Sequence, residues 1–311
     1  MRLYFATDIH GSETCFRKFL ACHDFYDADV LVLGGDMTGK ALVPIVEGAG
    51  GRYWTEMQEQ RYEFSGADEL ERHERMIRER GLYPLHTTED GLDEFRREPQ
   101  RLDELFEEAM ISTIERWVAL AEERLAGTDV RVFVCPGNDD EATIDQVLEG
   151  STRLELAEGR VIDVDGYQLL STGWSNVTPW RTYREEEEPQ LAKRLEAMVA
   201  SATAPPERLL FNFHCPPVNT ALDEAPKLTE DLMATGHETE HVGSSAVRRV
   251  IEAAQPLLSL HGHIHESRGA VRLGKTLAIN PGSSYEQGML QGAVVELDGR
   301  GKVKRYRLTT G

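Results

Sequence analysis

Short apolar runs that end in polar loops recur along the chain. Residues 2–7 are apolar and β-prone and lead into Asp8–Gly11, and residues 30–33 lead into Gly34–Asp36. Between these two units the apolar positions of Phe16–Leu20 recur at helical spacing. The order strand, helix, strand predicts a mostly parallel sheet, in which the loops follow the carboxyl ends of the strands.

The second half of the chain repeats this pattern. Three further apolar strands are predicted, at residues 130–135 before Gly137–Asp140, at 209–213 before His214–Pro217, and at 256–260 before His261–His265. The chain then ends in two antiparallel strands, at residues 292–297 and 302–308. Between these units, the acidic run Glu185–Glu188 predicts the solvated first turn of a helix, where the helix dipole favours negative charge.

The regular pattern is interrupted between about residues 40 and 100. This segment holds β-like runs at residues 41–46, 52–57 and 60–64, which predict a hairpin or a meander, and then a charged helix at residues 67–80. A long helix with one apolar stripe is predicted at residues 102–125. We therefore expect a single domain over residues 1–311, with an insertion at about residues 40–100.

The charge of the chain narrows the classes of function. Its 54 Asp and Glu residues outnumber its 34 Lys and Arg residues, which gives a formal net charge of −20. Such a charge disfavours nucleic acid as a ligand, because the phosphate backbone requires a basic groove. Together with a preference for Arg over Lys, it is consistent with a high-salt cytoplasm, where acidic side chains keep a protein hydrated, or with a GC-rich genome. No run of about 20 apolar residues and no signal sequence is seen, so we expect a cytoplasmic protein without a membrane span.

Side chains that bind metal ions stand at five of the predicted strand ends. They are Asp8 and His10, Asp36, Asn138, His214, and His263 with His265. Taken singly, each has another explanation, such as a helix cap, a turn residue or a core histidine. Because functional groups gather beyond the carboxyl ends of strands in α/β sheets, the set predicts a site where these side chains meet. A mixture of nitrogen and oxygen ligands suits Mn, Fe, Zn or Co better than Mg or Ca.

With these motifs in this order, the chain resembles the calcineurin-like metallophosphoesterases over most of its length outside residues 40–100. The resemblance implies an α+β fold, a four-layer αββα sandwich of two mixed sheets flanked by helices, with the terminal strand pair in the second sheet. It also implies two divalent metal ions, with Mn favoured and Fe, Zn, Co or Ni as options. One ion would be held by Asp8, His10, Asp36 and His265, and the other by Asp36, Asn138, His214 and His263.

The function that the resemblance implies is the hydrolysis of phosphate mono- or diesters of a small molecule such as a nucleotide. Two ions about 3.5–4 Å apart activate a bridging water or hydroxide and clamp the phosphate oxygens, so no side-chain nucleophile is needed. A nuclease and a non-catalytic metal-binding scaffold of the same fold are the alternatives. A metallo-β-lactamase-like hydrolase is disfavoured, because Glu266-Ser267 stands where an Asp-His pair is expected.

The third motif departs from the family pattern. Many members have a histidine after the asparagine, whereas this chain has Asp139, which would repel a phosphate unless a raised pKa made it a general acid beside Asn138. His237 and His241 either substitute for that histidine or are loop residues without a catalytic role. Trp174 and Trp180 either line the pocket or pack in the core. The segment at residues 40–100 is a lid, a contact in a homo-oligomer or a peripheral elaboration.

Overall fold

The computed structural model describes residues 1–57, 59–229 and 231–311, and of residues 234 and 237 only the backbone. Most of the predicted elements are present within a few residues of their expected bounds, among others that the sequence pattern did not indicate. In the first half of the chain they are β1 (Arg2–Ala6), α1 (Glu13–Phe25), β2 (Val30–Leu33), β3 (Leu42–Gly48), β4 (Arg52–Met57), β5 (Gln60–Ser65), α2 (Ala67–Glu79), β6 (Tyr83–Thr88), α3 (Glu89–Arg97), α4 (Pro99–Arg124), β7 (Arg131–Val134), α5 (Thr143–Glu149) and β8 (Leu154–Leu156).

The second half continues with shorter connections between strands. Its elements are β9 (Arg160–Val164), β10 (Tyr167–Thr172), β11 (Ser175–Asn176), β12 (Glu185–Glu186), α6 (Glu188–Ser201), β13 (Leu209–Phe213), β14 (Glu224–Leu228), β15 (Ala234–His241), α7 (Ser245–Ala254), β16 (Leu258–Leu260), β17 (Gly269–Leu273), β18 (Thr276–Asn280), β19 (Gln291–Leu297) and β20 (Val303–Thr310).

Two mixed sheets form the centre of the molecule. The first has the strand order β20-β19-β1-β2-β7-β8, and the second has the order β17-β18-β16-β13-β10-β9. In the first sheet β1, β2, β7 and β8 are parallel, and in the second β10, β13, β16 and β18 are parallel. Antiparallel strands stand at the edges of both sheets. Parallel strands of this kind are buried on both faces, which explains their continuous apolar runs.

The two sheets pack against each other, and helices cover their outer faces. Leu3 and Phe5 of β1 point into a core shared with β13, β16 and β18 of the other sheet. The alternate residues Tyr4 and Ala6 point outward into a core formed with α1, α4 and α5, as expected for side chains that alternate along a strand. On the far side, α6 and α7 cover the second sheet. The α+β αββα sandwich is confirmed.

Two predictions about local structure are wrong. The terminal pair β19–β20 does not lie in the second sheet, because β19 pairs antiparallel with β1 and extends the first sheet. Its apolar side chains Ala293, Val295 and Leu297 fill the core between the sheets beside β1, whose other edge is taken by β2. In addition, Glu185 does not open a helix. It lies in β12, and α6 begins three residues later, at Glu188.

Residues 42–88 form a separate sheet with the strand order β5-β4-β3-β6. This sheet and α2 share a small core of their own, made of Val43, Ile45, Met57, Phe64 and Ile77. The expected β-runs and charged helix are therefore present. That this segment is an insertion in one domain remains a prediction. Within the described residues, every helix is too short or too polar to cross a membrane, α4 with its 26 residues included.

Candidate metal centre

The seven predicted ligands lie on loops that follow parallel strands of both sheets. Asp8 and His10 follow β1, Asp36 follows β2, Asn138 follows β7, His214 follows β13, and His263 and His265 follow β16. The loops meet at one end of the sandwich. The His214 ring, on a loop of the second sheet, forms a hydrogen bond with the Gly34 carbonyl on a loop of the first, and the backbone N–H of His263 donates to the Asp8 carboxylate. The strand ends of two sheets thus converge on one place.

One group of ligand atoms consists of Asp8, His10 and His265. Nε2 of His265 lies 3.3 Å from Oδ1 of Asp8 and 3.1 Å from Nε2 of His10. The Asp8 carboxylate is oriented by the Thr7 hydroxyl, which donates to Oδ2 at 2.6 Å. Atoms bonded to one ion at about 2.0–2.2 Å lie about 3 Å apart, so this spacing fits a shared cation.

A second group consists of Asp36, His214 and His263. Nδ1 of His214 lies 3.1 Å from the Gly34 carbonyl, and a hydrogen bond there leaves the lone pair of Nε2 facing Oδ1 of Asp36 at 3.4 Å. The His214 ring lies so close to the chain that a Cβ on Gly35 would come within 2.1 Å of its Nδ1 atom. A glycine at this position therefore lets the imidazole approach the Asp36 loop.

The Asp36 carboxylate is shared between the two groups. Its Oδ1 atom lies 3.4 Å from Nε2 of His214, and its Oδ2 atom lies 3.6 Å from Nε2 of His10. Oδ1 also accepts a hydrogen bond of 3.0 Å from the backbone N–H of Asp139, which anchors the loop that carries Asn138. One carboxylate thus links loops from both sheets at the centre of the cluster.

Three buried polar atoms of the centre have no hydrogen-bond partner among the described residues. They are Nδ1 of His10, Oδ1 of Asn138 and Nε2 of His214. A buried polar atom without a partner costs about 1–3 kcal/mol, so native proteins rarely retain such atoms without a reason. A bound cation would satisfy the lone pairs of Asn138 and His214, so these residues fit a metal ion.

The pKa values of the histidines and carboxylates in this cluster also fit a bound cation. Burial lowers the pKa of His10 to about 3 and that of His263 to about 4. Burial also acts against a charge on His214, but Asp36 and Asp8 outweigh it and raise the pKa of His214 to about 10. Although burial raises the pKa of Asp8 and of Asp36, His214 lowers both below their usual range. A proton on His214 thus stands where a cation would satisfy the same carboxylates.

Four of the seven residues have a strained backbone. The φ angles are 52° at Asp8, 38° at His10, 47° at Asp36 and 68° at His263, all in the left-handed region that non-glycine residues rarely adopt. Each such residue costs about 1–3 kcal/mol and persists only where the surrounding structure holds it in place. Strain at four neighbouring polar residues supports this cluster as a candidate functional site.

Comparisons with known proteins agree with this architecture. No family model matches the chain. A protein of Methanocaldococcus jannaschii named "Uncharacterized protein MJ1162" is 30% identical over 155 residues, which are 49% of this chain and 64% of that protein. One crystal structure overlays on 99% of this chain and 98% of its own, with a TM-score of 0.62 and 17% identity. The crystal structure of TT1561 of Thermus thermophilus covers 100% and 97%, with a TM-score of 0.50 and 14% identity.

At these identities the likeness to solved structures is one of fold. The observed sandwich is the one that the motif resemblance implies, and the motifs lie at its strand ends. The chain has a metallophosphoesterase-like fold. Within this fold, the two ligand groups described above and a third that overlaps them, His10 with Asp36 and Asp139, are the candidate metal-binding groups among the described residues.

Asp140 joins two of the ligand loops of this metallophosphoesterase-like fold, and the sequence analysis did not single it out. Its buried carboxylate accepts hydrogen bonds from the backbone N–H groups of Met37, Thr38 and Gly137 and from the Thr38 hydroxyl, at 2.7–3.1 Å. It therefore ties the loop after β2, which carries Asp36, to the loop after β7, which carries Asn138. The Asp139-Asp140 pair was a signal that one of the two is structural.

The segment Asn280–Ser283 holds the other loops. The side-chain amide of Asn280 donates to the carbonyls of Gly262 and Ile264, which flank His263. The Ser283 hydroxyl donates to the Asp8 carbonyl at 2.6 Å. This segment therefore fixes the histidine loop after β16 against the loop after β1.

Asp139 lies at the rim of the centre and forms an ion pair with Lys40. Nζ of Lys40 is 3.1 Å from Oδ2 of Asp139, and the same oxygen is 4.0 Å from Nδ1 of His10. Burial and the nearby Asp36 carboxylate raise the pKa of Asp139 to about 6, although Lys40 lowers it. Lys40 is a cation beside the candidate metal centre that the sequence analysis did not identify.

The remaining candidates fall into different environments. Trp174 packs against the core of the second sheet under Arg194, which favours its packing role. Trp180 is 61% exposed on the loop between β11 and β12. His241 pairs with the buried Asp223 at 2.9 Å, which gives it a structural partner. The side chain of His237 lies outside the part of the chain that the structure describes.

The segment at residues 40–100 contacts the ligand loops directly. The Ser12 hydroxyl donates to the Glu79 carbonyl at 2.8 Å, and the backbone N–H of Gly39 donates to the Tyr83 hydroxyl at 2.6 Å. At Gly81 a Cβ atom would come within 1.9 Å of the His10 carbonyl oxygen. The turn between α2 and β6 therefore packs against the loop that carries His10.

Proposed function

We propose that this protein is a metal-dependent phosphoesterase that hydrolyses phosphate mono- or diesters of a small molecule with two divalent ions. The observation that carries the proposal is the position of Asp36. Its two carboxylate oxygens face two separate ligand groups, each within reach of an imidazole nitrogen. A shared carboxylate of this kind is what two neighbouring ions require, and dinuclear sites are typical of enzymes that cleave phosphate esters.

The proposed ligand sets are those that the motifs imply. Asp8, His10, His265 and Asp36 would hold one ion, and Asp36, Asn138, His214 and His263 would hold the other. The unpartnered atoms of Asn138 and His214 support the second set. Neutral imidazoles and ionised carboxylates are the forms that bind metal ions. The mixed set of nitrogen and oxygen atoms favours Mn, with Fe, Zn, Co or Ni as options.

When bound, such ions supply an activated water for attack on phosphorus and neutralise the charge on the phosphate oxygens. The protein contributes rigid positioning. His214 is held by the Gly34 carbonyl, and Asp8 is held by Thr7 and by the backbone of His263. Such outer contacts fix the ligands and raise their affinity for metal.

Asp139 and Lys40 act on the substrate side of the centre. With its raised pKa, the Asp139 carboxyl can take up a proton and donate it to the departing oxygen of the ester. Lys40 provides a positive charge at the rim and holds this carboxyl in place at 3.1 Å. The pair takes the place that the family's histidine has after the asparagine.

The test is a hydrolysis screen with metal-free protein to which Mn, Ni, Co, Zn or Mg is added. p-Nitrophenyl phosphate and bis(p-nitrophenyl) phosphate report monoester and diester cleavage. We expect turnover with at least one transition metal and none without metal. His214→Ala, purified in the same way, controls for contaminating phosphatases and is expected to be inactive, whereas His23→Ala on α1 is expected to match the wild type.

Three outcomes oppose the proposal, the second of them in the same assay with nucleic acid added as a substrate. Wild-type protein that binds metal but cleaves neither ester would favour a non-catalytic scaffold. Cleavage of single-stranded or duplex nucleic acid in preference to both small esters would favour a nuclease. Activity that persists in the His214→Ala protein would refute the assignment of the site.

A further inference from the structure

The loop at residues 177–184 returns to the metal centre and contacts Asn138. It is closed at its neck by β11 and β12, which pair in parallel with Ser175 opposite Glu185. The backbone N–H of Arg184 donates to the Asn138 carbonyl at 3.2 Å. The side-chain amide of Asn138 donates through Nδ2 to the Thr182 hydroxyl at 2.7 Å. This loop thus holds both the backbone and the side chain of a proposed ligand.

Glu185 gathers the hydrogen-bond donors in the neck of this loop. Its Oε1 atom accepts from the Thr182 hydroxyl at 2.6 Å, from the Thr182 backbone N–H at 3.0 Å and from the Thr178 hydroxyl at 2.6 Å. Its Oε2 atom accepts from the Thr178 backbone N–H at 2.9 Å. An ionised carboxylate can only accept hydrogen bonds. The proton of the Thr182 hydroxyl is therefore committed to Glu185.

This commitment determines which end of the Asn138 amide faces Thr182. A hydroxyl has one proton, so the Thr182 oxygen offers Asn138 only lone pairs. Only the NH₂ end of an amide can donate to lone pairs, so Nδ2 must face Thr182. Nδ2 also donates to Oδ1 of Asp139 at 3.3 Å, a longer contact that favours the same orientation. The carbonyl oxygen then lies on the opposite side, where it is buried and unpartnered.

We propose that Glu185 and Thr182 are positioning residues that fix the amide of Asn138 with its oxygen toward the second metal ion. The inference rests on the proposed function, in which Asn138 is a ligand of that ion. The chemistry is directional, because the amide oxygen binds cations whereas the amide nitrogen has no free lone pair. A free amide would flip between the two ends, and the fixed one is held in the orientation that binds.

The experiment is calorimetric titration of Mn²⁺ into metal-free, full-length protein. Thr182→Val removes the hydroxyl and keeps the shape of the side chain. We expect the Kd of one of the two ions to rise about 10–100-fold, the usual effect of removing a contact that orients a ligand. The Kd of the other ion should change less than about threefold. Thr182→Ser keeps the hydroxyl, so this variant should bind both ions with affinities close to those of the wild type.

Thr178→Val is the matched control. Thr178 gives Glu185 a hydroxyl hydrogen bond of the same length as the one from Thr182, but the described contacts of Thr178 do not include Asn138. We expect both Mn²⁺ affinities to stay within about threefold of wild type in this variant. Glu185→Ala tests the relay with both threonines intact, because it removes the acceptor of the Thr182 proton, whereas a glutamine would still accept that proton through its amide oxygen. It should weaken the same ion as Thr182→Val.

The outcomes separate the inference from the proposed function. Unchanged affinities in both Thr182→Val and Glu185→Ala would overturn the inference, and so would an equal loss in Thr178→Val, which would indicate general loosening of the loop. The melting temperature of each metal-free variant shows whether the loop remains folded. Wild-type protein that binds no Mn²⁺ would overturn the proposed function, and this inference with it.

Discussion

Asp140 offers a sharp test of how the centre is built. Its carboxylate lies between the loop after β2 and the loop after β7, and it is fully buried. Asp140→Asn keeps the size of the side chain but replaces one acceptor oxygen with an NH₂ donor. In the described hydrogen bonds this carboxylate faces three backbone N–H groups and one hydroxyl, so the new NH₂ meets at least one backbone donor on either side.

The cost follows from the contacts. If the NH₂ takes the place of Oδ2, it faces the backbone N–H groups of Gly137 at 2.7 Å and Met37 at 2.9 Å. If it takes the place of Oδ1, it faces the Thr38 N–H at 2.8 Å and the Met37 N–H at 3.1 Å. Either way one backbone donor, the N–H of Gly137 or of Thr38, loses its acceptor, while the Met37 N–H keeps the remaining oxygen; the cost is about 1–3 kcal/mol. We expect a loss of about 1–3 kcal/mol, a measurable part of the ~5–15 kcal/mol by which a domain is stable.

The assay is urea unfolding of the metal-free proteins, followed by circular dichroism. Asp139→Asn is the control. The Asp139 carboxylate forms a partly exposed ion pair with Lys40, so this variant should lose less than about 1 kcal/mol of stability. A variant Asp140→Asn as stable as the control, with wild-type affinity for Mn²⁺, would refute the reasoning. It would mean that the two loops hold their positions without this carboxylate.

Three further predictions concern the rim and the surface. Asp139→Asn should slow the hydrolysis of alkyl phosphates far more than that of p-nitrophenyl phosphate, because a good leaving group needs no general acid. The variant should also change the pH–rate profile. Equal slowing of both substrates with an unchanged profile would remove Asp139 from the mechanism. Lys40→Met should raise KM about tenfold with little change in kcat. The control Lys227→Met, on the β14–β15 hairpin, should leave KM unchanged. A decrease in kcat alone in Lys40→Met would contradict a role in substrate binding. Because the net charge is −20, raising KCl to about 1 M should raise the melting temperature of the wild type by screening self-repulsion, and maximal stability in salt-free buffer would argue against a high-salt cytoplasm.

The ligand positions were predictable from the sequence for a simple reason. Each apolar run that ends in a Gly-rich or His-rich loop marks the carboxyl end of a strand, and such ends meet at one edge of an α/β sheet. The cluster around Asp36 therefore forms as the motifs indicate, with Asp8, His10 and His265 on one side and His214 and His263 on the other.

What the sequence could not show depends on contacts between distant residues. Glu185 stands in an acidic run before a helix, and only its donors Thr178 and Thr182 distinguish it from a solvated helix start. The apolar alternation of β19 shows that it is a buried strand, but not which edge it joins. That it lies beside β1 depends on which edge the other strands leave open.

Counting bound ions tests the central claim most directly. Metal-free wild type and Asp36→Asn are each equilibrated with Mn²⁺, and the bound metal per chain is measured by elemental analysis after removal of free ions. We expect two ions per chain in the wild type and at most one in Asp36→Asn, because the shared carboxylate loses its charge and one of its two oxygens. Two tightly bound ions in Asp36→Asn, or none in the wild type, would contradict the account.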